Sequence, residues 1–183
     1  MNSTELTPKS PMCAIMEVLP GARRALFSRY HLGGCQSCGF SPEETLEQLA
    51  ERSGGLDAKE MLDHMLAADE LDQAMLMTPE EVRDLLATGK EVLLIDTRTR
   101  EEHEAVMIPG SRLMTQELQQ QCFAGDPHQW IVLYDHQGKH VLDHCSWFQG
   151  HGLPNARGMA GGIDAWSQSV DSSLRRYRLE IEA

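Results

Sequence analysis

EVLLIDTRTREEHEAVMIPG, residues 91–110, begins with an apolar run, Val92 to Ile95, that is closed by Asp96, Thr97 and Arg98. A short apolar run bounded by polar residues suits a strand buried on both faces, expected over residues 91–96, which is how strands of a parallel sheet read. A helix is expected after Thr99, a residue type that starts helices. The same order recurs downstream. Residues 131–135, IVLYD, precede a helix expected after Gly138, and a strand around residues 157–159 precedes a helix beginning near Gly162. Helices are also expected after Thr78, where Pro79 and Glu81 complete the start signal, and after Thr115, with a first strand at residues 74–77. Alternating short strands and helices predict an α/β unit, a mainly parallel sheet covered by helices.

Upstream, that alternation is absent. Ile15, Leu19, Ala22, Leu26 and Tyr30 recur at helical intervals, broken at Pro20 and Gly21, which predicts two short helices. Ser41, Pro42 and Glu44 predict a further helix start, ended by Gly54 and Gly55, and Asp57 with Glu60 opens a helix expected to end near Leu71. The reading is a small all-helical domain over residues 1–72, an α/β domain over 73–170, and a charged tail over 171–183, poor in large apolar residues and therefore loosely held.

The chain has 183 residues with 16 basic and 28 acidic side chains, a net charge of −12. That field repels phosphate backbones and anionic lipid, so neither nucleic acid nor a membrane is an expected partner. No apolar run approaches the ~20 residues that span a bilayer, and the first residues lack a secretory pattern. Five cysteines, an odd number, argue for free thiols in a reducing compartment, so a cytoplasmic location is expected.

In order and spacing, LLIDTR at 93–98, Glu102, IPG at 108–110 and GGIDAW at 161–166 resemble a rhodanese domain, over roughly residues 78–170. The resemblance implies an active loop after the strand at 131–134, cradling a persulfide sulfur with backbone N–H groups and the start of the next helix. The family pattern there is Cys-x-x-Gly-x-Arg. In register stand Asp135, His136, Gln137, Gly138, Lys139 and His140, so the glycine is kept while the nucleophile and the arginine are replaced. Val106 and Met107 likewise replace the family's Gly-His before the Ile-Pro-Gly turn. A carboxylate forms no persulfide, and an inactive domain is expected. Cys122 and Cys145 sit at core spacing and are read as buried packing residues. His140 and His144 share a helix face but lack a third ligand at fixed spacing.

YHLGGCQSCGF at 30–40, followed by an ETLEQLAE helix, resembles the small helical domain that accompanies hybrid-cluster and iron–sulfur repair proteins, over about residues 19–66. Cys35 and Cys38 can reach one metal or each other, and Gly33, Gly34 and Gly39 let the chain bend around them. Four readings stay open: a redox dithiol, an iron–sulfur cluster or zinc, a persulfide relay, or ordinary thiols. A tetrahedral thiolate site needs four ligands and this loop offers two. The remainder would come from a second copy, in a metal-promoted homodimer, or from Cys13 and His31. The function expected is that of an accessory protein of cytosolic sulfur or iron–sulfur metabolism. Its Cys35/Cys38 loop carries the chemistry, and its rhodanese-like domain recognises a sulfur-transfer or iron–sulfur assembly partner. The alternatives are a sulfurtransferase holding persulfide on Cys35 or Cys38, and a non-catalytic interaction protein.

Overall fold

Residues 5–33 and 39–177 are described by the computed structural model, so Cys35 and Cys38 lie outside the described residues. The chain divides into two units, Met1–Ala74 and Met75–Ala183. The first comprises α1 (Met12–Val18), α2 (Ala22–Tyr30), α3 (Leu46–Arg52) and α4 (Ala58–Ala74). Met12, Ile15, Leu19, Leu26, Leu46, Leu49, Met61 and Met65 form its core. The break at Pro20 and Gly21 falls where the sequence puts it.

Two expectations in this unit are corrected. The helix expected from Ser41 starts instead at Leu46, because Thr45 and Gln48 form the reciprocal cap. The preceding carbonyls are engaged elsewhere: those of Glu44 and Pro42 accept from the N–H groups of Met12 and Cys13, pinning this stretch to the start of α1. The helix expected to end near Leu71 runs on to Ala74. Its last turn is held by Asp72, whose carboxylate takes Arg24 Nη2 at 2.5 and 2.6 Å.

The second unit alternates β1 (Leu76–Met77), α5 (Pro79–Ala87), β2 (Val92–Asp96), α6 (Arg100–Ala105), β3 (Arg112–Leu113), α7 (Gln116–Ala124), β4 (Trp130–Tyr134), α8 (Val141–Gly150), β5 (Ala156–Met159) and α9 (Gly162–Ser169). All pairings are parallel, in the order β1-β5-β4-β2-β3. Alternate residues of the central β4 face opposite sides, as strand geometry requires. Ile131 and Leu133 join Ile95, Val141, Cys145 and Phe148. Val132 and Tyr134 join Val82, Leu94, Met159, Ile163 and Trp166. Cys122 and Cys145 are buried, and burial pushes the Cys122 thiol pKa up. Two-residue β3 was not expected: it is too short and too exposed to leave a pattern.

The loosely held tail is also corrected, as far as it is described. Val170 and Leu174 pack against the cluster around Trp166, and Tyr177 returns to the end of the sheet. No helix among the described residues is long and apolar enough to cross a membrane.

Candidate functional site

Parallel pairing of β2 and β4 in register sets Asp96 beside Tyr134 at the carboxyl ends of the strands, where sites form in open α/β sheets. Asp96 has no exposed surface. Its carboxylate accepts from Arg98 Nε at 2.9 Å, Arg98 Nη2 at 2.5 Å, the Arg98 N–H at 3.0 Å and the Tyr134 hydroxyl at 2.9 Å. His103 Nδ1 lies 2.8 Å from the same carboxylate, and facing an acceptor it carries the hydrogen. Burial works to raise the Asp96 pKa, but the hydrogen bonds from Arg98 and His103 prevail and hold it below the usual carboxylate range. Burial likewise pushes the Tyr134 hydroxyl well above its ordinary value. Arg98 further donates to the Val106 carbonyl and the Tyr177 hydroxyl, both at 2.7 Å. This buried network fixes the turn at Thr97, whose N–H donates to the Tyr134 carbonyl at 2.9 Å.

Beside it, β4 runs out into the loop of Asp135 to His140. Asp135 is 7% exposed, and its carboxylate accepts from the Gly138 N–H and, at 2.8 Å, from the His140 N–H. Backbone N–H groups of the kind that the rhodanese resemblance implies for a persulfide cradle are thus taken by the Asp135 side chain. The start of α9 closes the loop from behind: the N–H groups of Ile163 and Asp164 donate to the carbonyls of Asp135 and His136 at 2.9 and 3.1 Å. Gly138 has φ +77, and a Cβ there would sit 2.5 Å from the Gly161 nitrogen. Gly162 has φ +59 and lies against the Asp135 carbonyl with no room for a side chain. These contacts give the Gly-Gly pair at 161–162 its place in the site.

His136 is 9% exposed, its ring stacked on Tyr177 with centroids 4.3 Å apart and planes 7° from parallel. Its Nε2 lies 3.1 Å from the Tyr177 carbonyl and donates to it. The Tyr177 hydroxyl donates to Glu102 at 2.7 Å while accepting from Arg98. Burial, with the Glu102 bond, pushes the Tyr177 pKa up to about 12. Thr97, Arg98, Glu102, Asp135, His140 and His144 are among the residues lining a cavity of about 620 Å³.

The six predicted loop residues therefore form one site, with Gln137, Lys139 and His140 exposed. Sequence reasoning missed His103, Tyr134 and above all Tyr177. The available signal for the last was an isolated aromatic in a charged stretch. The predicted Cys35 and Cys38 lie outside the described residues. Cys13 is exposed on α1, and His31 packs edge-on against Phe27. Among the described residues, no group of three or more His, Cys, Asp and Glu could hold a metal ion.

A family model described as a rhodanese-like domain matches residues 78–169. The adenylyltransferase and sulfurtransferase UBA4 of Candida albicans is 22% identical over 180 residues, covering 91% of this chain and 40% of the relative. The probable adenylyltransferase/sulfurtransferase MoeZ of Mycobacterium tuberculosis is 30% identical over 118 residues, covering 61% of this chain and 30% of the relative. The chain thus spans less than half the length of these relatives. Among solved structures, a rhodanese-like domain protein from Staphylococcus aureus is 21% identical with a TM-score of 0.45, over 56% of this chain and 98% of that one. A human single-domain sulfurtransferase is 24% identical with a TM-score of 0.45, over 52% and 96%.

Proposed function

Since residues 78–169 make this chain a member of the rhodanese-like domain family, we propose that it is an accessory protein of sulfur or iron–sulfur metabolism whose rhodanese-like unit recognises a partner without transferring sulfur. The observation that carries this reading is the Asp135 carboxylate, bonded to the Gly138 and His140 amides. Sulfur transfer requires a thiolate that attacks the outer sulfur of a donor and keeps it as a persulfide. A carboxylate oxygen has no such product, and its two amide donors are already engaged. Cys122 and Cys145 are buried among apolar side chains, unsuited to replace it. The setting in sulfur metabolism is supported by the sulfurtransferase relatives. In this reading the partner is a sulfur-transfer or iron–sulfur assembly protein.

In this reading Cys35 and Cys38 carry the redox, sulfur or metal chemistry, on the argument of their spacing. A second reading is sulfur transfer with the persulfide on Cys35 or Cys38: the relatives named as sulfurtransferases support the activity, and the spacing of the pair supports the residues. A thiosulfate:cyanide assay is expected to give no turnover above the uncatalysed rate. Turnover that survives Cys35→Ser/Cys38→Ser overturns the primary reading. Cyanolysable sulfur lost in that double variant selects the second. Metal with sulfide in anaerobically prepared protein, and dissociation of a dimer on chelation, would make the pair a cluster site shared between two copies.

A further inference from the structure

Beyond α9 the chain does not leave the site. The Asp171 N–H donates to the Trp166 carbonyl at 3.0 Å, and the N–H and hydroxyl of Ser173 donate to the Asp171 carboxylate at 3.1 and 2.6 Å. Leu174 packs on the cluster around Trp166 and anchors this turn. Arg176 then forks onto Asp164 at 2.7 and 3.0 Å, and Tyr177 engages Arg98, Glu102 and His136 through its hydroxyl, ring and carbonyl. Those three partners of Tyr177 line the cavity of about 620 Å³. A second cavity, of about 440 Å³, is lined by Gln137, Asp164, Arg176 and Tyr177 itself, and Gln137 lines both.

We propose that residues 171–177 are a releasable strap: Tyr177 occupies the donors, acceptor and ring face that Arg98, Glu102 and His136 offer, and a partner that is to take those groups must displace it. This rests on the loop being a recognition surface. The contacts are graded for release. Leu174 keeps its place in the apolar cluster, whereas the Arg176 side chain is 55% exposed, so its ion pair adds little. Tyr177 is half-buried and held by hydrogen bonds and one stacked ring. What the strap supplies also defines its competitor. The displacing segment carries a flat ring for His136 and a hydroxyl that accepts from Arg98 while donating to Glu102, which is the chemistry of a tyrosine side chain.

The test reads strap release in the whole free chain, without a partner. Modification of His136 by diethyl pyrocarbonate is followed by peptide mass spectrometry, with exposed His128 as reference. In Tyr177→Ala the His136 rate is expected to rise about tenfold, the change that follows loss of one or two charge-assisted hydrogen bonds. Cys145 should stay protected from thiol reagents, marking an intact core. A rate equal to that of the unchanged chain overturns the strap. If Tyr177→Ala exposes Cys145 as well, Arg176→Ala decides, since it removes only an exposed pair: about a twofold rise supports the strap and no rise overturns it. Equal rates would leave the recognition reading standing, while sulfur turnover by the α/β unit would sink that reading without altering these rates.

Discussion

Asp96 joins three elements through one carboxylate, since Arg98 follows β2, His103 lies on α6 and Tyr134 ends β4. Removing one partner of a buried pair strands the other charge. Asp96→Asn is expected to cost about 3–5 kcal/mol in denaturant unfolding, and a cost near zero would mean that Arg98 finds other acceptors. The Asp96 pKa is lower in the folded chain than in the unfolded one, so its contribution is present above the unfolded value of about 3.9 and is lost as pH falls through the lower folded value. Acid unfolding of Asp96→Asn should therefore lose part of the slope below about pH 4. Tyr177 has the opposite sign. Its pKa of about 12 is raised by burial and by Glu102, against the neighbouring Arg98. Its contribution is complete below the unfolded value of about 10 and is lost as pH climbs through the folded one. The tyrosinate absorbance difference between the unchanged chain and Tyr177→Phe should appear near the higher value. At the loop, the thiolate of Asp135→Cys is expected to attack the outer sulfur of thiosulfate and keep it as a persulfide, with the S–S bond broken and sulfite released, seen by mass. It should turn over slowly because His140 lacks the fixed charge and forked donors of arginine. An unmodified cysteine would show that the Gly138 and His140 amides do not cradle sulfur.

Helix starts were the most legible elements. Thr78 with Glu81 forms the reciprocal cap that their spacing announces, and the helix expected after Thr99 starts at Arg100, so Thr78→Ala should lower the stability of the α/β unit by about 1 kcal/mol in denaturant titration. The start of α3 was not legible because two adequate signals stand four residues apart, Ser41 and Thr45. The choice between them is made by Met12 and Cys13, far along the chain. The tail escaped for a similar reason: its composition says loose, but Tyr177 is fixed by Arg98, 79 positions away. That an aspartate stands at 135, in register with the cysteine of the family pattern, could be read directly. That its carboxylate would turn back onto Gly138 and His140 could not, because this depends on the loop's conformation. That conformation in turn depends on glycines at positive φ. Gly162→Ala should destabilise the unit by about 2 kcal/mol or more, measured by thermal unfolding, since its side chain would meet the Asp135 and His136 backbone.

Across the whole molecule, the two units have separate apolar cores, one among the four helices and two flanking the parallel sheet. Residues 75–183 alone are expected to unfold cooperatively with the midpoint they show in the full chain, and a non-cooperative fragment would deny them independence. In the folded protein, Cys13 should label rapidly with a thiol reagent while Cys122 and Cys145 wait for unfolding. The parallel order β1-β5-β4-β2-β3 also has a consequence in time. Residues 76–77 pair with residues 158–159, so the sheet is finished only after residue 159 has been made, and α9 must follow before the loop is backed. The strap comes later still. At translation rates of about 5–20 residues per second, residue 177 is made roughly a second after residue 164. For the partner proposed above, the order in which the chain is made would then be a means of choosing between it and the resident tyrosine.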